Sequence, residues 1–338
     1  MPVRPRLADV AARAGVSMKT VSNVINDFPH VSESTRSKVT TAIEELGYRP
    51  NVSARNLARG RTGVIVLGVP RLDMPYFASL AMQLITAAEA ASWWVQIRQT
   101  RGERANELRL LEEARDSRID GMVLSVVALR EADLADRPST PLVLLGEHRF
   151  ASVDHVGIDN AGAARLAVRH LLDTGRRHVV VVGGRRGADQ RVVGAESALA
   201  ERGETLGPAM HLAVEGVTGQ HGEQAMDAFL AAGHAVDAVF CATDWLAMGV
   251  IRSLRLHGYR VPDDVAVMGF DDIPYDLAAL PTLSTIAPDR EQIARLAVES
   301  LLRQERPGPP EVRHAVADHR IVVRESTAAT APGGATPT

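Results

Sequence analysis

Residues 7–26, LADVAARAGVSMKTVSNVIN, place two apolar stripes of helical period on either side of a glycine. Leu7, Val10, Ala11 and Ala14 recur at i, i+3, i+4 and i+7, one face of a helix. Gly15 ends that helix, Val16 turns inward, and the Ser17 hydroxyl suits the cap of a second helix. Val21, Val24 and Ile25 give the second helix its buried side, and Asn26, Asp27 and Pro29 break it. Ser32 opens a third helix with the stripe Val39, Ala42, Ile43 and Leu46, which Gly47 stops. Three short helices with a tight turn between the first two make a helix-turn-helix. The second helix leaves Met18, Lys19, Thr20, Ser22 and Asn23 outward, side chains suited to base edges and phosphates in a major groove. A solvated polar face on a structural three-helix bundle fits the same residues.

Charge separates the two ends of the chain. Of 338 residues, the first 61 carry ten Lys and Arg against five Asp and Glu; the remainder carries 28 against 36. A basic head on an acidic body points to a polyanion partner at one end. A single cysteine, Cys241 in AVFCAT, excludes an internal disulfide and reads as a small buried hydrophobe. The N-terminus has no apolar signal core, and no apolar run approaches the ~18 residues of a membrane span. The expectation is a soluble cytoplasmic chain without a membrane partner.

The elements DVAARAGVS, TVSNVIN, VS…TR…V and LGYRPNVSARNLARG, in that order and spacing, resemble the head of the lactose-repressor (LacI/GalR) family of transcription factors. The resemblance implies a pseudopalindromic double-stranded DNA operator as partner. It implies base contacts from Met18, Lys19 and Asn23. It implies that Ser17, Thr20, Ser22, Asn26, His30, Ser32, Thr35 and Tyr48 contact phosphates or support the docking. Residues 50–58, PNVSARNLA, resemble the family's hinge helix, which forms on DNA when two chains pair. Asn51, Ala54 and Leu57 would serve DNA there, with Leu57 wedged into the central step of the operator. So short a helix is marginal alone in water, so ordering it only on DNA is physically sensible. Arg6 stands where the family usually has a Thr or Ser cap.

From Thr62 the pattern changes. TGVIVLGV is a nearly unbroken apolar run, as in a strand buried on both faces. Helical stretches at 77–91, 103–116, 160–174, 190–202, 220–232 and 244–257 then alternate with WWVQIRQT, DGMVLSVV, PLVLLG, HVGIDN, RHVVVVGG, MHLAVEG, AVDAVFCAT and DVAVMGFDD. Such alternation means parallel α/β structure, and two lobes suit a ligand cleft at the strand ends. The body also resembles the family's effector domain, which is similar to periplasmic sugar-binding proteins. The expected fold is therefore α/β: an N-terminal three-helix helix-turn-helix head plus hinge helix, followed by a two-lobed periplasmic-binding-protein-like effector domain with parallel sheets. The expected limits are 1–49 for the head, 50–61 for hinge and linker, 62–325 for the effector-binding and dimerisation domain, and 326–338 for a low-complexity, disordered tail. The tail lacks leucine heptads, so a homodimer is expected.

No catalytic constellation stands out. VGGRRGADQ matches neither a dinucleotide nor a phosphate-loop fingerprint, and the eleven histidines lack metal-ligand spacing. No enzyme activity, metal or cofactor is expected. The resemblance instead implies a repressor controlled by a small polar, carbohydrate-like effector. Asp271 in MGFDDIPYD would accept from ligand hydroxyls, and Arg191 and Arg185 would donate to them. Tyr76 and Phe77 in MPYF offer ring faces, Ser125 ends a strand, and Glu223, Thr243 and Trp245 complete the expected pocket. Core packing explains Tyr76 and Phe77 equally well, and capping a turn is the plainer role for Asp271.

Overall fold

A computed structural model describes residues 5–25, 28–48, 61–116, 119–137, 139–305 and 311–328. It divides into two units, 1–63 and 64–338. The expected residues Asn26, Asn51, Ala54 and Leu57 lie outside the described residues.

In the first unit, α1 (Leu7–Ala14), α2 (Met18–Ile25) and α3 (Glu33–Leu46) enclose Val10, Ala11, Val21, Val24, Val39 and Ala42. Gly15 and Gly47 close α1 and α3 in the left-handed region, at φ 67° and 60°, where a Cβ costs energy. Ser32 caps α3, its hydroxyl accepting from the Thr35 amide at 3.3 Å. Arg6 caps α1 with no side-chain bond; the Asp9 carboxylate accepts from the Arg6 amide at 2.7 Å instead.

The second unit contains two parallel sheets. The first comprises β1 (Val64–Val69), β2 (Trp94–Gln99), β3 (Gly121–Ser125), β4 (Leu142–Leu145), β5 (Asp154–Ile158) and β11 (His314–Ala317), in the order β11-β5-β4-β3-β1-β2. Along β1, Ile65, Leu67 and Val69 face α4 (Pro75–Ala90) and α10 (Arg290–Gln304), while Val66 faces α5 (Arg104–Asp116). The second comprises β6 (Val179–Gly183), β7 (His211–Ala213), β8 (Ala238–Cys241) and β9 (Ala266–Met268), in the order β7-β6-β8-β9. Val179 and Val181 pack on α6 (Asn160–Asp173) and α7 (Gln190–Ala200). Val180 and Val182 pack toward α8 (Gly219–Ala231) and α9 (Asp244–Leu256). Cys241 is buried in that layer, its thiol pushed well up by desolvation.

The chain crosses between the lobes three times. It leaves the first lobe after β5 and returns after β10 (Thr285–Pro288) into α10. It leaves again from β11 into β12 (His319–Val322), which pairs antiparallel with β10. The buried Asp154 carboxylate anchors the return. It accepts from Ser300 and Arg303, from Gln304 Nε2 at 2.9 Å and from the Arg313 amide at 2.9 Å.

The expected tail boundary is corrected. Ser326 and Thr327 are buried, and Ser326 Oγ accepts from the Ser284 amide at 2.8 Å while donating to the Val267 carbonyl at 2.7 Å. Small hydroxyl residues look like low-complexity sequence, yet here they continue the edge of the second lobe.

The helix pair α8 and α9 in the second lobe touches through glycines. A Cβ at Gly249 on α9 would lie 1.8 Å from the Gly219 carbonyl oxygen, and one at Gly222 on α8 would lie 2.2 Å from that of Leu246. Gly249→Ala forces the helices apart and is expected to cost about 2 kcal/mol or more in urea unfolding. A loss near zero would refute the close approach.

Candidate functional site

The head presents its expected contact residues on one element and its flanks. Ser17, Met18 and Lys19 are exposed at the start of α2, with Thr20, Ser22 and Asn23 half-buried beside Val21 and Val24. Ser17 Oγ accepts from the Thr20 amide at 3.1 Å and lies 2.9 Å from Thr20 Oγ1. Both hydroxyls are thus fixed at the positive end of the helix, where phosphate oxygens are favoured. Ser32 and Thr35 repeat the arrangement at α3, with hydroxyls 2.9 Å apart. His30 is exposed and edge-on to Phe28, and Tyr48 is half-buried against the three-helix core.

The second unit holds a cavity of about 690 Å³ between its lobes, at the C-terminal ends of the strands. The first lobe contributes Tyr76 and Phe77 from the start of α4, Ser125 from the end of β3, and Glu147 after β4. The second contributes Asp189, Arg191, Thr243 and Asp271. Tyr76 and Phe77 meet edge to face at 5.3 Å. The loop after β3 is pinned from beneath by buried Glu107, whose carboxylate accepts from the amides of Val127, Ala128 and Leu129 at 2.8, 3.0 and 2.9 Å.

Arg191 lies at the floor. Its Nη1 donates to the Ala242 carbonyl, and its Nε donates to Asn160 Oδ1 at 3.4 Å. Carboxylates of Asp271 and Glu147 stand 3.6 and 3.7 Å away, and the guanidinium lies 4.1 Å over the Phe270 ring. Burial lowers the Arg191 pKa, but Asp271, Glu147 and Asp189 outweigh it and hold the group above its ordinary value. Desolvation pushes Asp271 up to about 7, against the pull of Arg191 and with a further push from Asp244. Asp271 Oδ1 is buried without a hydrogen-bond partner. Burial likewise pushes Tyr76 up to about 12, with Asp271 adding to it.

The backbone that presents Asp271 is strained, with φ 123° there and 54° at Asp272. A buried acidic network braces it. Asp244 accepts from Thr285 Oγ1 at 2.6 Å and from the Ile273 amide at 3.2 Å. Arg324 pairs with Asp272 at 2.6 Å and stands 3.6 Å from the fully buried Asp276. Neither Asp276 oxygen meets a protein donor, and its neighbour is the Asp244 carboxyl, so the pair persists only with a proton between them. Desolvation and Asp244 push Asp276 up to about 10.

Three expected pocket residues do not line this cavity. Arg185 is exposed in the loop before α7, where the chain folds back so that the Asp189 carboxylate reaches the Gly184 amide at 2.7 Å. Glu223 is ion-paired with Arg252 at 2.9 Å across the α8–α9 pair. Trp245 lines a separate groove with Pro75, Met248 and Tyr275. Thr243 lines the cavity while capping α9, its hydroxyl accepting from the Leu246 amide at 3.2 Å. Glu147 and Asp189 were missed in the sequence. Only the helix-capping position of Asp189 before QRVVG carried a readable signal.

Residues 6–51 match the family described as bacterial regulatory proteins, lacI family, and residues 168–327 match a periplasmic binding protein-like domain. The ribose operon repressor of Haemophilus influenzae is 31% identical over 330 residues, covering 95% of this chain and 98% of that protein. The chain belongs to the lacI family. Among solved structures, the Lac repressor dimer bound to operator and the anti-inducer ONPF matches with TM-score 0.81 at 25% identity, covering 97% of this chain and all of that one. A complex of the transcriptional regulator CelR with cellobiose matches with TM-score 0.70 at 30% identity, over 96% of this chain and all of that one. This lacI-family member is thus a DNA-binding transcriptional regulator with a periplasmic-binding-protein-like domain, and not an enzyme. No helix among the described residues is long and apolar enough to cross a membrane.

The acid pair predicts a pH effect. The folded pKa of Asp276 is raised above its unfolded value of about 3.9. Stability is therefore fully present below about pH 4 and is lost as pH rises toward about 10. Asp276→Asn keeps the shape and cannot ionise. Its melting temperature is expected to gain on wild type between pH 5.5 and 8.5; parallel curves would rule out the shared proton.

Proposed function

We propose that this protein represses transcription as a homodimer on a pseudopalindromic operator, and that a small polar effector, a sugar or sugar derivative, sets its operator affinity from the interlobe cleft. The observation that carries the effector reading is Asp271 Oδ1, a buried acceptor without a partner in the cavity beside Arg191. Such an atom costs stability until a donor reaches it, and a ligand hydroxyl supplies one. Tyr76 and Phe77 offer apolar ring area, and the volume suits a small-molecule site. The relatives' names make ribose and cellobiose the first sugars to try.

Large apolar side chains left exposed support the homodimer: Met82 on α4, Trp94 on β2, Leu256 at the end of α9, and Leu277 and Leu280 beyond it. Two heads then read two half-sites, Met18, Lys19 and Asn23 at base edges and the capped hydroxyls at phosphates. Residues 50–61 serve as hinge helix and linker, with Ala54 and Leu57 toward the minor groove and Asn51 contacting DNA. Effector binding shifts the lobes between two arrangements that hold the two hinges at different separations, a population shift coupled to operator affinity.

Two experiments test this. In a thermal-shift screen of neutral mono- and disaccharides, one sugar is expected to raise the melting temperature and alter operator binding. Asp271→Asn should lose that response at least tenfold while still binding operator; an unchanged response would misplace the pocket. In operator titrations, Leu57→Ala is expected to weaken binding at least tenfold and to leave the sugar-induced shift in place. Equal loss of both would sink the hinge assignment.

A further inference from the structure

The charges buried at the floor of the cleft are weighted toward carboxylates. Arg191 is largely buried, with its side chain 18% exposed; its Nε and Nη1 donate to Asn160 and Ala242, and its charge is flanked by the Asp271 and Glu147 carboxylates at 3.6 and 3.7 Å. Arg290 acts on Asp271 from behind, but its Nη atoms donate to the carbonyls of Asp271 and Asp272. Three carboxylates oppose these two cations: Asp271, 5% exposed; Glu147, 27% exposed; and Asp189, which caps α7. Glu147 also spans the cleft, its Oε2 accepting from the Gln190 amide of the second lobe at 3.3 Å. At the floor, carboxylates therefore outnumber guanidinium groups, and each guanidinium already has a carboxylate or a carbonyl beside it. At the rim, Arg71 is tied to Asp73, and Arg101 is exposed, where water and salt screen its charge.

Building on the sugar-effector reading, we propose that this cleft takes uncharged polyhydroxyl ligands and rejects their phosphorylated or acid counterparts, and that Glu147 imposes the choice. An uncharged hydroxyl donates to Glu147 and Asp271. A phosphate or carboxylate at the same place sets like charges together in a partly desolvated site, beside a guanidinium whose charge Asp271 and Glu147 already balance. Glu147 is thus a specificity-determining residue that selects by repulsion.

Titration calorimetry on the full-length chain decides this with matched ligands: glucose with gluconate and glucose 6-phosphate, ribose with ribose 5-phosphate, and cellobiose with cellobionate. An uncharged member is expected to bind, and its charged twins to bind at least a hundredfold more weakly. Glu147→Gln should narrow that gap at least tenfold, and Glu147→Asp should preserve it, which separates charge from packing. A charged twin bound by wild type as tightly as its neutral partner, or a gap unchanged in Glu147→Gln, overturns the proposal. Should no uncharged sugar bind, the sugar reading fails, and inorganic phosphate then decides the charge rule alone. Phosphate bound by Glu147→Gln but not by wild type upholds it; any other pattern overturns it.

Discussion

Burying the Arg191 guanidinium organises the cleft. Taking that charge out of water is costly unless every side of it is satisfied. The partners come from several strand ends: Glu147 after β4, Asn160 after β5, Ala242 after β8, and Phe270 and Asp271 after β9. Meeting that demand sets where the loops must stop, and the loops that stop there form the walls of the cavity. Asp271 accepts backbone strain to take its place, and the Asp244–Asp276–Arg324 network supplies the compensation. The polar lining of the cavity is therefore a by-product of satisfying one buried cation.

Period and punctuation made much of this legible. Helices expected at 77–91, 103–116 and 160–174 occupy 75–90, 104–116 and 160–173, because their apolar spacing and caps agree. The last part of the second unit was not legible. β10, β11 and β12 are four residues each and carry Pro288, His314, His319 and Arg320, so no alternation announces them. Their identity comes from pairing with strands far away in sequence. The site divides the same way. Asp271 and Arg191 lie in motifs that point inward, whereas Glu223 and Trp245 lie on helices whose facing is set by the glycine contacts between α8 and α9. Glu147 escaped notice because its role exists only through atoms more than forty residues away in the other lobe.

The glycine contacts also bear on the mechanics of the second lobe. Helices that touch backbone to backbone have no side-chain layer to shear across, so α8 and α9 resist sliding past one another. Under the proposed effector control, a change begun at Asp271 or Arg191 would pass through the lobe as a block and not be dissipated inside it.

The three crossings decide what such a block can do. One connecting strand would act as a tether and permit swinging in any direction. Three connections side by side act as a strap hinge, stiff to shear and to lateral bending and yielding mainly about one axis. A cleft ligand on such a hinge has essentially one motion to bias. Under the proposed effector control, ligands that fill the cavity move one lobe against the other in the same direction and differ from one another only in extent. An analogue that fills the cavity incompletely would then act as a partial version of the natural signal, and not as a different one.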